Sequence, residues 1–335
     1  MGKKLSNGVL KYHYHPEKGW INDPNGLSFF NGYYHLFYQH CPNSEYPGVE
    51  PMVWGHARTK NFSEYEELPI AIQNDESYDI NGVWSGTATE KDGILYAFYA
   101  SVNSENRQQI SLATSKDGIT FEKYEKNPII SEYPLNCGDD FRDPAILCVD
   151  GTNYLVIASA DRDKNTGTLL LYRSGNMFDW EYVGIMMEYD DCRYCECPSF
   201  IKYKDGFILS VSVCPNNGDH YFEVMYGSFN GETFAPKITS HFQKGPDEYA
   251  GQIFLAPDGR AILISWVPGW QYQPHEKCIG CLSIPLEITV CDNEIKAYPV
   301  AELRHLINDE CVTDEYICER YENKGASVYI KLEVD

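Results

Sequence analysis

Three carboxylates embedded in short, distinctive motifs are the residues best suited to catalysis. Asp23 lies in the motif WINDPNG, Asp143 lies in FRDP, and Glu196 lies between two cysteines in CECP. Asp23 taken alone is also explained by a structural role in a turn, because Asp and Asn side chains cap backbone amides in turns. Glu196 belongs to no charged run, and apolar neighbours favour the protonated form of a carboxyl group. Its position therefore suits a proton donor.

Arg142 and Asp143 are adjacent in the sequence, and on a regular strand their side chains would face opposite ways. The two side chains share a pocket only where the backbone is irregular, and Pro144 favours such an irregularity. The alternative interpretation is a local ion pair with a structural role.

Turn signals recur along the chain at intervals of 53 to 61 residues. Each is an Asn-Gly or Asp-Gly pair followed by a strand-like apolar run, typical of a β-hairpin. The turns begin at Asn31, Asp92, Asp150, Asp205 and Asp258. A second signal, a hydroxyl residue before an aromatic cluster, keeps the same phase at Thr59, Thr114, Ser174 and Ser228. This period predicts blades of four short strands.

The sequence therefore predicts an all-β fold, a five-bladed β-propeller over residues 1–305, with a short C-terminal β extension over residues 306–335. A pair of β-sandwiches is the rival, but it has no reason to keep this period. The first strand of each propeller blade lines the central channel. Residues shortly before each turn should then converge on one axial pocket: Asp23, Trp84, Ser85, Asp143, Glu196, and Asp247 with Tyr249.

An axial pocket with several carboxylates and an aromatic rim suits cleavage of a glycosidic bond. One carboxylate attacks or stabilises the oxocarbenium-like centre, and another protonates the departing oxygen. Aromatic side chains supply flat faces for sugar rings.

At these motifs the sequence closely resembles glycoside hydrolase family 32, which contains invertases, inulinases, levanases and sucrose-6-phosphate hydrolases. WINDPNG, FRDP and CECP match the three signature motifs of the family in order. The weaker matches FYQHCP, WGHA, WSGTAT, DEYAGQ, SWVPGWQY and YPVAEL also keep the expected order.

The resemblance implies a role for each matching position. Asp23 would be the nucleophile that forms a covalent fructosyl intermediate, Glu196 the acid and then the base, and Asp143 the transition-state stabiliser. Arg142 would bind fructosyl hydroxyls together with Asp143, and the fructose subsite would be lined by Asn22, Gln39, Trp54, Trp84, Ser85 and Trp266. Tyr249 is a further predicted substrate-binding residue, because of its position before the fifth turn. No metal or organic cofactor is implied.

Two departures from the family pattern affect these expectations. The loop after FYQ reads Asn43-Ser44-Glu45-Tyr46-Pro47 where family members often carry Trp, so the leaving-group side is expected to differ. The usual C-terminal β-sandwich is expected to be absent or truncated, because only about thirty residues follow the predicted propeller and two strands cannot bury a sandwich core.

The overall charge excludes some partners. With 27 Lys and Arg against 49 Asp and Glu, the net charge is −22, which argues against nucleic acid and anionic membranes. Small carbohydrates are the expected partners, and the sequence makes no prediction of oligomeric state. The absence of an apolar leader at the N-terminus predicts a cytoplasmic location. Two CxxC pairs, Cys192 with Cys195 and Cys278 with Cys281, leave a four-thiolate zinc site as an alternative to unpaired cytosolic thiols.

The leading functional hypothesis is a retaining β-fructofuranosidase acting on sucrose or short fructo-oligosaccharides. A sucrose-6-phosphate hydrolase and a fructosyltransferase would use the same carboxylates. A non-catalytic sugar-binding propeller is the alternative of another class, although binding alone requires neither an acid nor a nucleophile.

Overall fold

A computed structural model describes residues 13–44, 46–134, 137–138, 140–161, 163–242, 248–268 and 278–306. These residues form five sheets, and in each sheet four strands pair antiparallel in chain order. The predicted all-β, five-bladed propeller is confirmed. Asp247 and the predicted extension beyond Leu306 lie outside the described residues.

The strands of each blade run in chain order outwards from the axis. Blade 1 comprises β1 (Gly19–Phe30), β2 (Tyr33–Cys41), β3 (Val53–Thr59) and β4 (Tyr65–Ile72). Blade 2 comprises β5 (Gly82–Lys91), β6 (Ile94–Val102), β7 (Gln108–Ser115) and β8 (Glu122–Lys123). Blade 3 comprises β9 (Phe141–Val149), β10 (Thr152–Asp161), β11 (Thr166–Ser174) and β12 (Glu181–Tyr189). Blade 4 comprises β13 (Cys192–Tyr203), β14 (Gly206–Pro215), β15 (Tyr221–Phe229) and β16 (Phe234–Phe242).

The four main strands of blade 5 are β17 (Tyr249–Leu255), β18 (Ala261–Val267), β21 (Leu286–Cys291) and β22 (Glu294–Pro299). Two short strands lie between β18 and β21 in the sequence: β19 (Cys278–Ile279), which belongs to the sheet of blade 1, and β20 (Cys281–Leu282), which pairs with β18. β19 pairs in parallel with β1 and so joins blade 5 to blade 1. A 3-10 helix, Ala301–Leu306, follows β22. Within the described part of the chain, no helix is long and apolar enough to cross a membrane.

The predicted turns connect the first strand to the second in every blade. Asn31, Asp92 and Asp150 each adopt a positive φ, followed by a glycine that does the same, as a two-residue hairpin turn requires. The fourth turn differs from the prediction, because Lys204 takes the positive φ (51°) and Gly206 already belongs to β14. The fifth turn is also longer than predicted and occupies residues 256–260 between the paired strands.

Five apolar clusters hold the ring together, and each lies between two neighbouring blades. A sheet has two faces, so every blade packs against one neighbour on each face, and the ring closes between blades 5 and 1. Representative buried pairs, in order around the ring, are Phe37 with Tyr99, Phe98 with Leu155, Leu169 with Leu209, Ile208 with Leu263, and Ile264 with Leu36.

The innermost strand of every blade contains a register break where the site residues lie. The pairing with the second strand shifts at Ile21/Pro24, Trp84/Gly86, Arg142/Ala145, Glu196/Ser199 and Tyr249/Gln252. Such β-bulges bend a strand and turn a side chain in a new direction. Asp143 sits in its bulge with a φ of 55°, which confirms the irregular backbone predicted beside Pro144.

Candidate active site

The structure brings the three predicted carboxylates together at the axis, from blades 1, 3 and 4. Cys197 links two of them. Its backbone N–H donates to Asp143 Oδ2 (2.9 Å), and its thiol lies 3.4 Å from Asp23 Oδ2 and 3.6 Å from Asp143 Oδ2. The bulge in β13 makes this possible, because Cys197 adopts a φ of 49° directly after Glu196. One short segment therefore carries Glu196 and fixes the position of the other two carboxylates.

Asp23 is held as a hydrogen-bond acceptor by its neighbours. Ser85 Oγ donates to Asp23 Oδ2 (2.7 Å), and Asn22 Nδ2 donates to Asp23 Oδ1 (3.2 Å). Trp20 Nε1 donates to Asn22 Oδ1 (2.9 Å), which turns the amide nitrogen of Asn22 toward the carboxylate. Burial and then the Glu196 carboxylate raise the pKa of Asp23, whereas the bonds from Ser85 and Asn22 oppose that rise.

Glu196 lies in polar surroundings, contrary to the sequence prediction of apolar neighbours. Arg142 donates to Glu196 Oε1 from Nη2 (2.9 Å) and from Nε (3.3 Å). The Tyr249 hydroxyl donates to Glu196 Oε2 (2.6 Å). The side chain is 24% exposed, so a bound molecule can reach it. The two thiols beside it in the sequence belong to its neighbours along the strand and do not surround its carboxyl group.

Arg142 is the positive charge among these acids. Its Nη1 donates to Gln108 Oε1 (3.4 Å) and to the carboxylate of Asp140, while its other nitrogens bind Glu196. Burial alone would lower the pKa of this guanidinium group, but the surrounding carboxylates, with Glu196 first, raise it above its ordinary value. Arg142 therefore stays charged and fixes Glu196 to blade 3.

Asp143 is the most buried of the three carboxylates, with 4% of its surface exposed. Burial raises its pKa strongly, the Arg142 guanidinium opposes this, and the carboxylates of Glu196 and Asp23 raise it further. Burial and the neighbouring carboxylates therefore raise the pKa of both Asp143 and Asp23.

Tyr249 contacts the predicted acid rather than only lining the pocket. Its hydroxyl binds Glu196, and its ring packs edge-on against His220, with 4.7 Å between ring centroids. Burial and the Glu196 carboxylate raise the pKa of this phenol, so the hydroxyl remains a donor. Tyr249 remains a predicted substrate-binding residue, and its hydrogen bond also helps to position the Glu196 side chain.

The predicted tryptophans occupy different depths. Trp84 and Trp266 are partly exposed, and Trp266 packs edge-on against Trp20 with 5.6 Å between ring centroids. Trp54 is predicted to line the fructose subsite, but its side chain has no exposed surface, and its Nε1 donates to the Trp84 carbonyl (2.9 Å). Trp54 therefore supports the pocket wall from the layer between blades 1 and 2.

Buried amides tie the inner strands to one another below the carboxylates. Gln39 Nε2 donates to the Val83 carbonyl (3.0 Å) and so links blades 1 and 2. Gln252 Nε2 donates to the Gly86 carbonyl (3.1 Å), and the Gly86 amide donates to Asn25 Oδ1 (3.3 Å). Inner strands of different blades share few ladder bonds, so these side chains fix the blades that carry the site.

The two CxxC pairs do not form the alternative zinc site in the described structure. Cys192 and Cys195 pack in the layer between blades 3 and 4, whereas Cys278 packs between blades 5 and 1. Within the described ranges, no three Cys, His, Asp or Glu side chains are arranged to hold a metal ion. The Cys195 thiol instead faces the carbonyls of Thr168 (3.3 Å) and Ser159 (3.6 Å).

Sequence reasoning missed three residues that shape the site: Cys197, Asp140 and Gln108. Cys197 was visible in CECP, but only the fold shows that its thiol and amide reach blades 1 and 3. Asp140 lies two residues before Arg142, so its spacing offered a signal. Gln108 begins β7, the third strand of blade 2, and nothing in the sequence connects it to Arg142.

We expect Ser85→Ala to move the acidic limb of the pH–rate profile to higher pH. The substitution removes a donor that stabilises ionised Asp23, so the pKa of Asp23 rises and the ionised form is lost at a higher pH than in the unmodified protein. Activity on the acidic limb should fall about 10-fold, the scale of one hydrogen bond to a charged group. The measurement is kcat/KM against pH.

Ser104→Ala is the matched control, because Ser104 is exposed in the turn between β6 and β7. It should leave the profile unchanged. A loss of activity in Ser85→Ala that is uniform across pH would show that Ser85 does not act through the ionisation of Asp23.

Comparison with known proteins matches most of the chain to one family and its relatives. The family model described as "Glycosyl hydrolases family 32 N-terminal domain" matches residues 13–299. A sucrose-6-phosphate hydrolase of Zymomonas mobilis is 34% identical, over 92% of this chain and 65% of the relative. A raffinose invertase of Escherichia coli is 35% identical, over 88% of this chain and 65% of the relative. The chain therefore spans about two thirds of the length of these relatives.

The fold is also shared with solved structures. The structure of a Bombyx mori GH32 beta-fructofuranosidase mutant in complex with sucrose superposes with a TM-score of 0.79 at 30% identity, covering 89% of this chain and 67% of that chain.

Proposed function

Because the chain belongs to glycosyl hydrolase family 32, we propose that it is a retaining β-fructofuranosidase that hydrolyses terminal β-D-fructofuranosyl linkages in sucrose or short fructo-oligosaccharides. The catalytic domain is the propeller, residues 1–305 of the division predicted from the sequence. The sucrose complex of the Bombyx mori relative supports a small carbohydrate as the substrate.

One observation carries the proposal. Asp23 is held by the side chains of Ser85 and Asn22 as an acceptor, while Glu196 is bound by Arg142 and Tyr249, and Cys197 connects their two sides. Two carboxyl groups held close together by separate sets of partners are what glycoside hydrolysis by double displacement requires, one as nucleophile and one as acid and then base.

In the first step, a carboxylate oxygen of Asp23 attacks the anomeric carbon of the fructosyl unit. The bond to the glycosidic oxygen breaks, and protonated Glu196 transfers its proton to that oxygen as the leaving sugar departs. The product of this step is a fructosyl ester of Asp23 and an ionised Glu196. The Arg142 guanidinium, which already contacts Glu196, stabilises the negative charge that develops there.

In the second step, Glu196 takes a proton from a water molecule, and the water oxygen attacks the same anomeric carbon. The ester bond to Asp23 breaks, the carboxylate is restored and fructose leaves with its original configuration. The hydrogen bonds from Ser85 and Asn22 favour ionised Asp23 and so favour its departure. Both carboxyl groups return to their starting states.

Asp143 is proposed to bind fructosyl hydroxyls and stabilise the transition state. Its Oδ2 is occupied by Cys197, whereas its Oδ1 accepts no hydrogen bond from any residue in the described ranges. That oxygen is available to a sugar hydroxyl. The partly exposed rings of Trp84 and Trp266 are proposed to supply flat apolar surfaces for the sugar.

Sucrose 6-phosphate is a second candidate substrate, favoured by the relatives that carry the name sucrose-6-phosphate hydrolase, among them the Zymomonas mobilis protein. A fructosyltransferase would use the same carboxylates with a sugar in place of water. We also propose a cytoplasmic location, which the buried free thiols of Cys192, Cys195, Cys197 and Cys214 support.

The proposed function is tested with sucrose, sucrose 6-phosphate, 1-kestose, inulin and levan, each incubated with the protein. Release of fructose from sucrose or from a short fructan supports hydrolysis. Product sugars longer than the substrate would identify a transferase. A protein that binds these sugars but releases no fructose from any of them would be the non-catalytic sugar-binding propeller.

A further inference from the structure

Arg193 is an exposed cation placed beside the site and unused by the proposed mechanism. It lies three residues before Glu196 on β13, at a second register break of that strand, between Cys192 and Tyr194. The break leaves Arg193 out of the ladder between β13 and β14. Its Nη2 contacts the Cys214 sulfur (3.0 Å), and its guanidinium lies 5.7 Å from the centre of the Tyr194 ring.

The Tyr194 ring connects Arg193 to the site. Arg142 also lies 5.7 Å from the centre of this ring, so the two guanidinium groups flank one aromatic side chain. Arg142 is buried and engaged by Glu196 and Asp140, whereas Arg193 is exposed. The Tyr194 ring therefore lies between Arg142, which binds the predicted acid Glu196, and the exposed guanidinium group of Arg193.

Arg193 differs from most arginines in the protein. Five of the seven arginines in the described ranges form a salt bridge with a carboxylate: Arg58, Arg107, Arg142, Arg173 and Arg260. Arg193 and Arg304 form none with any described residue, and Arg304 lies in the terminal 3-10 helix. In a chain with a net charge of −22, an unmatched cation near the pocket is an exception.

The chemistry of the reaction places the leaving group beside Glu196. A general acid must contact the glycosidic oxygen, so the departing sugar lies next to Glu196, away from Asp23. Glu196 of β13 binds Arg142 of β9, the Arg142 guanidinium lies against the ring of Tyr194 at the start of β13, and Arg193 lies against the same ring. A guanidinium group binds phosphate through two parallel hydrogen bonds, which a neutral hydroxyl cannot match.

We infer that Arg193 and the Tyr194 ring form a leaving-group subsite for a sugar that carries a phosphate. This inference rests on the proposed function and narrows it, because the preferred substrate becomes a phosphorylated disaccharide of the sucrose 6-phosphate type. Tyr194 contacts the face of the leaving sugar, and Arg193 binds the phosphate.

The test compares kcat/KM for sucrose 6-phosphate and for sucrose in the unmodified protein and in Arg193→Gln. The unmodified protein should prefer the phosphorylated substrate, and the ratio of the two values should fall about 10- to 100-fold in Arg193→Gln, the scale of a charge-assisted hydrogen bond. Arg193→Lys keeps the charge and should retain part of the preference. Arg173→Gln, an exposed arginine of blade 3, should leave the ratio unchanged.

Product inhibition separates a sugar phosphate from free phosphate. Glucose 6-phosphate should inhibit the unmodified protein more strongly than glucose or inorganic phosphate does, and Arg193→Gln should lose this difference. Equal or better hydrolysis of sucrose, or an unchanged ratio in Arg193→Gln, would overturn the subsite while leaving the proposed function intact. Failure to hydrolyse either substrate would instead overturn the proposed function.

Discussion

Glu196→Gln is expected to hydrolyse sucrose about 10²- to 10⁴-fold more slowly than the unmodified protein, the usual contribution of a positioned acid and base. The glutamine has nearly the same shape and can still accept from Arg142 and contact Tyr249, so the site should keep its geometry. Only the transferable proton is lost. The measurement is kcat and KM with sucrose.

The role of the acid can be separated from a general loss of activity. A substrate with a good leaving group, such as p-nitrophenyl β-D-fructofuranoside, needs no proton in the first step, so Glu196→Gln should form the fructosyl intermediate rapidly and hydrolyse it slowly. Azide, which attacks without a base, should then restore turnover and give a fructosyl azide. Glu232→Gln, in an exposed turn of blade 4, is the control and should behave as the unmodified protein does. Equal losses on both substrates, without rescue by azide, would contradict the assignment.

Asp23→Asn should lose about 10⁴-fold in kcat, the scale seen when one member of a catalytic unit is removed. The asparagine can still accept a hydrogen bond from Ser85 but is no longer a nucleophile. Because every substrate requires the attack, a good leaving group should not restore activity, in contrast to Glu196→Gln. Sucrose should still bind, which calorimetry can measure.

Asp150→Asn is the matched control for this substitution, because Asp150 occupies an exposed turn at the far end of blade 3 and asparagine tolerates its positive φ. It should retain full activity. Retention of more than a tenth of the activity in Asp23→Asn would show that another group attacks the anomeric carbon.

The propeller could be predicted because each repeat contains a residue pair that favours a tight turn. Asn-Gly and Asp-Gly pairs favour two-residue hairpins whatever surrounds them, and they locate the first and second strands of each blade. The fourth turn differs from the prediction. Lys204, one residue before the predicted Asp205, takes the positive φ, and Tyr203 pairs with Gly206 on either side of the turn. Which neighbouring residue takes the strained conformation is decided by strand register, which a single sequence does not specify.

The depth of the carboxylates was also predictable, because residues at similar distances before the turns must lie at similar heights along the axis. The contacts that other blades make with these carboxylates and with Arg142 were not predictable. Gln108 reaches Arg142 from another blade, and Cys197 reaches Asp23 across the axis. Such contacts depend on how five sheets are rotated against one another. The burial of Trp54 was unpredictable for the same reason. Its aromatic side chain fits a pocket wall or a core layer equally well, and in the structure it belongs to the core.

The central claim is that Asp23 and Glu196 cleave the bond by two successive displacements at one anomeric carbon. NMR spectroscopy of the products formed from sucrose in the presence of methanol tests it directly, because methanol traps the fructosyl unit before the sugar can change its anomeric form. Two displacements predict methyl β-D-fructofuranoside as the first product. Formation of the α anomer would mean a single displacement by a solvent molecule and would contradict the assignment of Asp23 as nucleophile.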